Sequence, residues 1–575
     1  MIQSPRIRRR EATVGDAWPT HVPPLLRRIY AARGAHDLDA AQPRLAGLLP
    51  PEGLSNLDAA TGLLADAIAR GARILVVGDF DCDGATACAV AVRGLRLLGA
   101  RDVVHAVPHR IVHGYGLSPS LVESLAPLQP DLLVTVDHGI ACHGGIAAAK
   151  AKGWQVLVTD HHLPGTALPP ADAIVNPNLP GDAFPSKMLA GVGVIFYVLL
   201  ALRARLRAQG AFEGPVPDLS VLLDLVAVGT VADLVPLDTN NRALVAAGLR
   251  RLRAGQACPG LLALAEVSGR QIDRLTASDI GFAIGPRLNA AGRLEDMAIG
   301  IECLLSDDPA QARELARTLH DINAERRAVQ QSMLDDAEAA VARLPAPAPD
   351  SAGVCLHDAD WHPGVVGLVA SKMKDALHRP VVAFAPAEPG SDQLRGSARS
   401  IPGLHIRDVL AAVDTAHPGL IERFGGHAMA AGMSLHVDQL ASFSEVFRAQ
   451  VAAVLDPALL RAELVTDGPL GPHEFDIVHA AHLRDAGPWG QAFPEPLFDG
   501  EFAVVDWRIV GARHLKLTLR LDGHRQTLSA IHFGGWREVA PAAREHVVYR
   551  LAPDDYRGGD AVQLLVEHRE ACPAG

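Results

Sequence analysis

Three aspartates alternate within the segment Gly78-Asp79-Phe80-Asp81-Cys82-Asp83-Gly84. In an extended segment this alternation puts the three carboxylates on one side, where they repel each other strongly unless cations hold them. A calcium-binding EF-hand loop is excluded, because its twelfth position falls on Val90 instead of the bidentate glutamate that the loop requires. A solvated acidic turn remains the alternative for this segment taken alone.

Three further segments combine aspartate with histidine or lie beside small apolar residues. They are Val136-Asp137-His138-Gly139, Val158-Thr159-Asp160-His161-His162 and the stretch 229–236, which holds Asp233. Carboxylates joined by one or two imidazoles suit Mn²⁺ or Mg²⁺ better than zinc, since no cysteine is placed to join them. Two such cations bridged by one carboxylate can activate water and stabilise a phosphoryl transition state.

The elements that would position these residues follow from the pattern of apolar runs. Short apolar runs, with helical stretches such as 84–99 and 144–152 between them, cover 73–78, 103–107, 132–136, 155–159 and 173–175. Near-continuous apolar strands that alternate with helices predict an α/β domain whose parallel sheet is covered on both faces. Ligands bind beyond the carboxyl ends of such strands. We therefore expect the four aspartate-containing segments described above, the polar segments, at strand or loop ends.

The rest of the chain predicts a long helix, a second α/β domain and an all-β tail. The stretch 312–344 contains neither Gly nor Pro and predicts a helix of roughly 50 Å, at 1.5 Å per residue. We interpret it as a bridge between two domains, with a core helix as the alternative. Residues 351–460 are rich in Gly and small apolar residues. After about residue 465, a small antiparallel barrel or sandwich is predicted by the strand-like runs 502–505, 508–510, 515–521, 526–533 and 547–551.

The composition is that of a globular protein with several domains. The chain has 575 residues, of which 49% are hydrophobic, and a formal net charge of −12, which argues against a protein that coats nucleic acid but permits a local basic channel. Its seven cysteines form no C-x-x-C pair, which favours a reducing compartment over a disulfide framework. The N-terminus lacks a signal-peptide pattern and no apolar run is long enough to span a membrane, so we expect a cytoplasmic protein without membrane contact.

Taken in order, the motifs of the first half resemble those of the DHH phosphoesterase superfamily, and within it those of bacterial single-stranded-DNA-specific exonucleases. These motifs are GDFDCDGATA, VDHGI, VTDHHLPG with VNPN, VGTVADLVPL and GPRLNAAGR. WHPGVVGLVASKM, GSARS and RFGGHAMAAGM resemble the DHH-associated domain, and GPWGQAFPEPLF with HLKLTL resembles the carboxyl-terminal OB-fold of those enzymes. The resemblance implies an N-terminal segment (1–50), a DHH catalytic domain (51–305), a connecting long helix (306–345), a substrate-binding α/β domain (351–460) and a nucleic-acid-binding OB-fold (465–575).

The resemblance also implies an activity and the residues that carry it. The activity is degradation of single-stranded DNA from 5′ to 3′ into 5′-mononucleotides, in repair and recombination, with two Mn²⁺ or Mg²⁺ ions. The implied metal ligands are Asp79 in support, Asp81, Asp83, Asp137 as the bridge, His161 and Asp233. The implied catalytic residues are His162 beside the scissile phosphate, Asp160 orienting a histidine, Arg293 and His427. The implied substrate-binding residues are Arg110, Ser397 and Arg399 at the terminal 5′-phosphate, Arg287 at the DNA backbone, and Gly425 and Gly426 beside phosphate.

Two positions depart from the superfamily pattern. His138 stands where Asn is usual and could add a titrating group or an extra ligand. Cys82 stands where Ala is usual. We interpret it as a small buried thiol, and the alternatives for a cysteine between two ligands are oxidation or binding of a soft metal.

Selectivity for single strands would come from a groove between two domains, aided by a basic and partly aromatic surface on the OB-like tail. The candidates for that surface are Arg508, Arg513, His514, Lys516, Arg520, Arg525 and Trp536. The implied partners are single-stranded DNA, a single-stranded-DNA-binding protein and a helicase, and the protein would be a monomer.

Two other functions remain open. One is a DHH phosphoesterase that acts on oligoribonucleotides, cyclic dinucleotides or pyrophosphate. Those enzymes generally lack the OB-like tail, and Val77 stands where several of them carry a metal-binding histidine. The other is a catalytically inactive scaffold that binds nucleic acid, which is disfavoured because every expected metal ligand is present.

Overall fold

The computed structural model describes residues 4–109, 113, 116–294, 297–343, 351–524, 526–554 and 557–572, without the side chains of 293–294, 333–334 and 336–343. The strands in this part of the chain are β1 (Arg6–Arg9), β2 (Arg73–Val77), β3 (Asp102–Ala106), β4 (Leu132–Val136), β5 (Gln155–Thr159), β6 (Ala173–Val175), β7 (Val354–His357), β8 (Val381–Pro386), β9 (Gln393–Arg399), β10 (Arg423–Gly426), β11 (Ala430–His436), β12 (Glu463–Thr466), β13 (Phe498–Val510), β14 (His514–Leu521), β15 (Thr527–His532), β16 (Arg544–Pro553) and β17 (Val562–Ala571).

The α-helices of the same residues are α1 (Pro24–Ala31), α2 (Leu38–Ala41), α3 (Leu57–Arg70), α4 (Cys82–Leu97), α5 (Pro119–Leu125), α6 (His143–Ala151), α7 (Gly191–Ala208), α8 (Leu223–Ala232), α9 (Thr239–Arg253), α10 (Pro259–Val267), α11 (Ala277–Asp279), α12 (Gly285–Leu294), α13 (Ala298–Leu305), α14 (Pro309–Arg343), α15 (Val366–Leu377), α16 (Ile406–Ala416), α17 (Leu440–Val454) and α18 (Ile477–Asp485). Within the described ranges, no helix combines the length and the apolar character needed to cross a membrane.

The chain divides into two compact units. One comprises Met1–Arg10 with Arg327–Thr466, and the other comprises Glu11–Arg326 with Asp467–Gly575. The larger unit contains two sheets, one parallel and one barrel-shaped, whereas the smaller unit contains one mixed sheet and one strand pair.

The first sheet of the larger unit has the order β3-β2-β4-β5-β6, and all of its pairs are parallel, as the sequence predicts. Alternate residues of β2 enter different cores. Ile74 and Val76 belong to the core that also contains α4 and α7 side chains, whereas Leu75 and Val77 belong to the core beneath α5 and α6. Because both faces are covered, the strands are mostly apolar, and Thr135 of β4 and His105 of β3 are polar residues within them.

One of the four polar segments does not lie at a strand end. Asp233 directly follows α8 as its C-cap residue, at the start of a loop, so it meets the expectation of a strand or loop end as a loop end. Helix α8 itself is buried on nearly every side, from Leu223 to Thr230. A helix buried on all faces shows no period of 3.6 residues, and its apolar run cannot be told from a strand by pattern.

The second sheet of the larger unit is a closed barrel with the order β13-β14-β15-β17-β16. Its pairs are antiparallel except for β15 with β17, which agrees with the predicted small barrel but not with a purely antiparallel one. The two apolar runs predicted before residue 511 are a single strand, β13, with an irregularity between Val504 and Asp506. Trp18, Tyr30, Trp489 and Phe493 stack beside this barrel and the first helices.

The smaller unit is built on a five-stranded sheet with the order β10-β11-β9-β8-β7. Only β7 and β8 run parallel; the other neighbours are antiparallel. Helices α16 and α17 pack on one face, and α15 packs on the opposite face over β7 and β8. Strand β1 pairs with β12 in a separate two-stranded sheet, which nothing in the basic sequence of β1 indicates.

Candidate metal centre

Neighbouring strands of the parallel sheet bring three of the polar segments to one edge. Asp137 follows β4 directly, Asp160 follows β5 directly, and Asp79 lies two residues after β2. Because β2, β4 and β5 are adjacent and parallel, their carboxyl ends meet at the same edge. Asp79, Asp137 and Asp160 are each 3% exposed or less.

Helix starts hold two further carboxylates at this edge. Asp81 is the N-cap of α4, and its side chain accepts a hydrogen bond from the backbone N–H of Gly84 at 2.9 Å. Asp83 lies in the first turn of α4 and accepts from the N–H groups of Gly191 at 2.6 Å and Val192 at 3.0 Å. Since those groups begin α7, the positive end of that helix faces the Asp83 carboxylate.

The side chains of this edge form three overlapping groups whose possible ligand atoms lie within 4.8 Å of one another. Asp137 and His161 each belong to two of the groups. His161 Nε2 lies 3.1 Å from Asp137 Oδ1 and 3.6 Å from Asp233 Oδ2. The groups are Asp79 with Asp81 and Asp137, Asp83 with His161 and Asp233, and Asp137 with His161 and His162.

The carboxylates of these groups repel each other in a buried environment. Burial, together with Asp81, raises the pKa of both Asp79 and Asp233 from 3.8 to about 7. Burial and the neighbouring aspartates raise the pKa of Asp83 and Asp137 well above the ordinary value. Buried charges of one sign require compensation, which bound cations would supply.

The donor set fits divalent cations. Asp137 Oδ1 and His161 Nε2 are buried, and neither makes a hydrogen bond within the described residues. Asp137 has a positive φ of 65°. A Cβ at position 191 would lie 2.4 Å from Asp137 Oδ1, so only glycine allows α7 to approach this carboxylate. Several carboxylate oxygens with one or two imidazole nitrogens form a set that suits Mn²⁺ or Mg²⁺.

The two adjacent histidines differ in their protonation. Burial, followed by the nearby His162, lowers the pKa of His161 to about 4, so its ring is a neutral imidazole of the kind that binds metals. The hydrogen bond to Asp160 raises the pKa of His162 to about 9. This bond joins His162 Nδ1 to Asp160 Oδ1 at 2.8 Å. It is the contact expected of Asp160 from the sequence, and the catalytic role of Asp160 stays a prediction.

Asp160 remains ionised despite its burial. Burial raises its pKa, but hydrogen bonds from His162 and the backbone outweigh that effect and bring the pKa below its ordinary value. Its Oδ2 accepts from the N–H of Ile140 at 2.9 Å. The Asp160 carboxylate therefore connects the loop after β5 to Ile140 in the loop after β4, and it orients His162.

Three asparagines that sequence reasoning did not single out support this centre. Asn176 and Asn178 donate to the carbonyl oxygens of His162 at 2.8 Å and His161 at 2.6 Å. Asn289 Oδ1 accepts from the N–H of Cys82 at 2.7 Å. All three lie inside the motifs VNPN and GPRLNAAGR. The sequence feature that could have identified them is a short polar side chain next to an apolar run.

The two unusual residues are buried in the larger unit. His138 Nε2 lies 3.1 Å from the carbonyl oxygen of Val77, and its Nδ1 lies 4.0 Å from the Cys142 sulfur. Burial lowers the pKa of His138 to about 4, so both ring nitrogens of a neutral imidazole face protein atoms. Cys82 is 1% exposed, and burial raises the pKa of its thiol.

Among the arginines predicted near the metals, Arg287 is buried. It donates to the carbonyl oxygen of Ala283 at 2.6 Å and lies 3.1–3.2 Å from His320 Nδ1. These contacts tie α12 to α14, and the predicted contact of Arg287 with DNA stays a prediction. Arg110, Arg525 and the side chain of Arg293 lie outside the described residues.

The smaller unit holds the remaining predicted substrate residues. Ser397 and Arg399 lie on β9, and Arg399 Nη1 donates to Ser397 Oγ at 2.8 Å. Gly425 and Gly426 lie on β10, and His427 is exposed in the turn that leads to β11.

Comparisons with known proteins cover nearly the whole chain. Family profiles match the DHH family, N-terminal domain, over residues 73–230, the DHHA1 domain over 339–453 and the RecJ OB domain over 466–568. The chain is 47% identical to the single-stranded-DNA-specific exonuclease RecJ of Escherichia coli K12, over 99% of each chain.

Two solved structures are similar along the same length. The crystal structure of RecJ from Thermus thermophilus in complex with Mn²⁺ is 32% identical with a TM-score of 0.77, covering 99% of this chain and 80% of that one. Its complex with Mg²⁺ is 31% identical with a TM-score of 0.73, covering 99% and 79%. Both structures hold a divalent cation of the kind that the carboxylate-rich groups of this chain suit.

Proposed function

The chain belongs to the RecJ family of single-stranded-DNA-specific exonucleases, and on that premise we propose that it is a metal-dependent nuclease that degrades single-stranded DNA from its 5′ end into 5′-mononucleotides. The observation that carries the proposal is the set of three overlapping carboxylate and imidazole groups. Asp137 and His161, each shared by two groups, have buried ligand atoms without a hydrogen-bond partner among the described residues. This arrangement suits two adjacent cations.

Some residues of this centre would bind the cations, and others would contact the phosphate. When bound, two Mn²⁺ or Mg²⁺ ions lower the pKa of water and stabilise charge on the phosphoryl group. Asp81, Asp83, Asp137, His161 and Asp233 would hold them, with Asp79 in support. His162 is half exposed, and Asp160 holds its ring in one orientation. A protonated His162 can therefore donate a hydrogen bond to a phosphate oxygen and offset its developing charge.

The smaller unit would bind the terminal phosphate of the strand. Ser397 and Arg399 lie close to the start of α15, since a Cβ at Gly367 would be 3.1 Å from Arg399 Nη2 and 3.5 Å from Ser397 Oγ. The N–H groups of a helix start favour an anion, and the arginine fork matches phosphate geometry. These properties support the role predicted for Ser397 and Arg399.

The barrel would supply a surface on which bases stack. Trp507 and Trp536 are stacked with ring centroids 5.6 Å apart, and Phe533 lies edge-on to His514 at 5.4 Å. Phe533 is 67% exposed. Aromatic rings beside cations bind single strands without regard to sequence, and the exposed Arg508 and Arg513 belong to the same part of the barrel.

The cellular setting follows from the proposed substrate. We propose that the protein acts in DNA repair and recombination in the cytoplasm, as a monomer, together with a single-stranded-DNA-binding protein and a helicase. The domain bounds given above, from the N-terminal segment to the OB-fold, are part of the same proposal. Seven cysteines without a disulfide are typical of a reducing compartment.

Digestion of defined substrates tests the proposed function. Single-stranded DNA with a 5′-phosphate, the matching duplex and a 5′-phosphorylated dinucleotide are each incubated with Mn²⁺, Mg²⁺ or EDTA. We expect mononucleotides from the single strand, only with metal, and the Asp137→Ala variant purified in parallel controls for contaminating nucleases. A single strand that stays intact with Mn²⁺ would refute the proposal, and preferential cleavage of the dinucleotide would favour a phosphoesterase of short substrates.

A further inference from the structure

The sheet of the smaller unit has one face that is only partly covered. Helices α16 and α17 pack on the other face through the core that includes Phe384 and Leu394. On the first face, α15 packs its apolar side chains on Val381 and Ala383 of β8. Beyond β8, the residues of β9, β11 and β10 that point to this face are exposed or half-buried.

Strand pairing arranges these residues in rungs across three strands. The pairs of β9 with β11 and of β11 with β10 place residues of matched position side by side. Rungs two residues apart along a strand are about 6.8 Å apart, which is comparable with the length of one extended nucleotide. The rungs are Arg399 with Ala430, then Ser397 with Gly432 and Gly425, then Arg395 with Ser434 and Arg423.

The two glycines of the middle rung have open space above them. A Cβ at Gly425 or Gly432 would meet no atom within 4 Å. A cavity of about 840 Å³ lies over these glycines, and its lining runs from Gly367 at the start of α15 to Arg395 and Arg423. Its two ends therefore carry the predicted terminal-phosphate residues and a pair of arginines that the resemblance does not assign.

Arg395 and Arg423 are exposed, and within the described residues neither side chain has a hydrogen bond or an ion pair. One carboxylate, that of Glu422, also lines the cavity, but its Oε1 accepts a hydrogen bond from Gln393 Nε2 at 2.9 Å. Two guanidinium groups against one engaged carboxylate leave this end of the cavity positive. Arginines that are not paired with protein groups can bind phosphate without first breaking an ion pair.

We propose that Arg395 and Arg423 bind internal phosphates of the single strand, those that follow the terminal phosphate at Ser397 and Arg399. This inference rests on the proposed function and adds residues to its substrate site. Phosphate contacts fix the register of a strand and carry no sequence information, which suits an enzyme that must degrade any sequence. The two arginines would thus make binding depend on strand length.

The salt dependence of binding separates this role from a general effect. Binding of a long 5′-phosphorylated single strand is measured by fluorescence anisotropy in EDTA, over a series of salt concentrations. Binding of a 5′-mononucleotide, which has the terminal phosphate alone, is measured by competition with that strand. For the Arg395→Ala/Arg423→Ala variant, we expect the slope of log affinity against log salt for the long strand to become shallower by about 0.7 for each phosphate that is no longer neutralised. Affinity for the long strand should fall roughly tenfold, and affinity for the mononucleotide should fall much less.

Arg407→Ala is the matched control, because Arg407 is an exposed arginine of α16, the helix that packs on the other face of the sheet. It should keep the wild-type slope. An unchanged slope for the double variant, or equal losses of affinity for the long strand and the mononucleotide, would overturn the inference. Those results are distinct from failure of the proposed function, in which the wild-type protein itself leaves single-stranded DNA intact with Mn²⁺.

Discussion

Replacing Asp79 by asparagine should stabilise the metal-free protein while it weakens the response to metal. Asp79 is 3% exposed, and burial together with Asp81 raises its pKa from 3.8 to about 7. The folded protein therefore binds more protons than the unfolded chain between these values, so its stability falls as pH rises from about 4 to about 7. At pH 8 the penalty from this one carboxylate is about 4 kcal/mol.

The Asp79→Asn substitution would remove that penalty at the cost of burying an amide. The new amide oxygen can still accept from the N–H of Phe80, as Asp79 does at 2.7 Å, but an amide NH₂ group that finds no partner costs about 1–3 kcal/mol. The net gain in EDTA at pH 8 is about 1–3 kcal/mol, or a few degrees in melting temperature. At pH 4, where Asp79 is protonated in the folded protein, the gain should disappear.

Differential scanning calorimetry in EDTA and in Mn²⁺ measures both effects. A ligand at 100 times its Kd stabilises by about 2.7 kcal/mol, and we expect Asp79→Asn to lose part of this increment. Asp224→Asn is the control, since Asp224 is also buried with a raised pKa but lies at the start of α8, nine residues before Asp233. An Asp79→Asn variant that is no more stable than wild type in EDTA at pH 8 would contradict the raised pKa of Asp79. A Mn²⁺ increment equal to that of Asp224→Asn would contradict the place of Asp79 beside the cations.

Three further substitutions test other parts of the account. Asp137→Ala should abolish cleavage and leave single-strand binding in EDTA largely intact, and substantial remaining activity in a mononucleotide-release assay would contradict its bridging role. Arg399→Ala should mainly reduce the preference for a 5′-phosphate over a 5′-hydroxyl end, measured as the ratio of kcat/KM values, and an unchanged ratio would argue against the terminal-phosphate site. Arg33→Ala should destabilise the larger unit by about 3–5 kcal/mol, because Arg33 and Asp467 form an ion pair at 2.8 Å whose side chains are both 1% exposed; a melting temperature equal to that of the wild type would disprove this.

The sequence predicts the parallel sheet well because its signal is local. The runs 132–136, 155–159 and 173–175 coincide with β4, β5 and β6, since a strand buried on both faces is apolar along most of its length. The polar residue that follows each run is then placed by topology at one edge. Asp79, Asp137 and Asp160 are therefore brought together by an argument that needs no tertiary information.

Other features depend on contacts that no local pattern reports. Strand β17 contains charged residues and was not predicted, because its place in the barrel comes from pairing with β15 and β16. The burial of Arg287 against His320 likewise depends on how α12 meets α14. The hydrogen bond that distinguishes His162 from His161 joins His162 to Asp160, only two residues away in the sequence. Its effect on the pKa of His162 nevertheless requires the burial of Asp160, which only the folded chain supplies.

The carboxylates and imidazoles at the edge of the parallel sheet should hold two divalent cations. Anomalous scattering from a crystal soaked in Mn²⁺ measures this directly. We expect two adjacent peaks, one beside Asp81 and Asp137, the other beside Asp83, His161 and Asp233, with Asp137 shared between them. A crystal that binds Mn²⁺ only elsewhere, or shows no peak at these side chains, would contradict it.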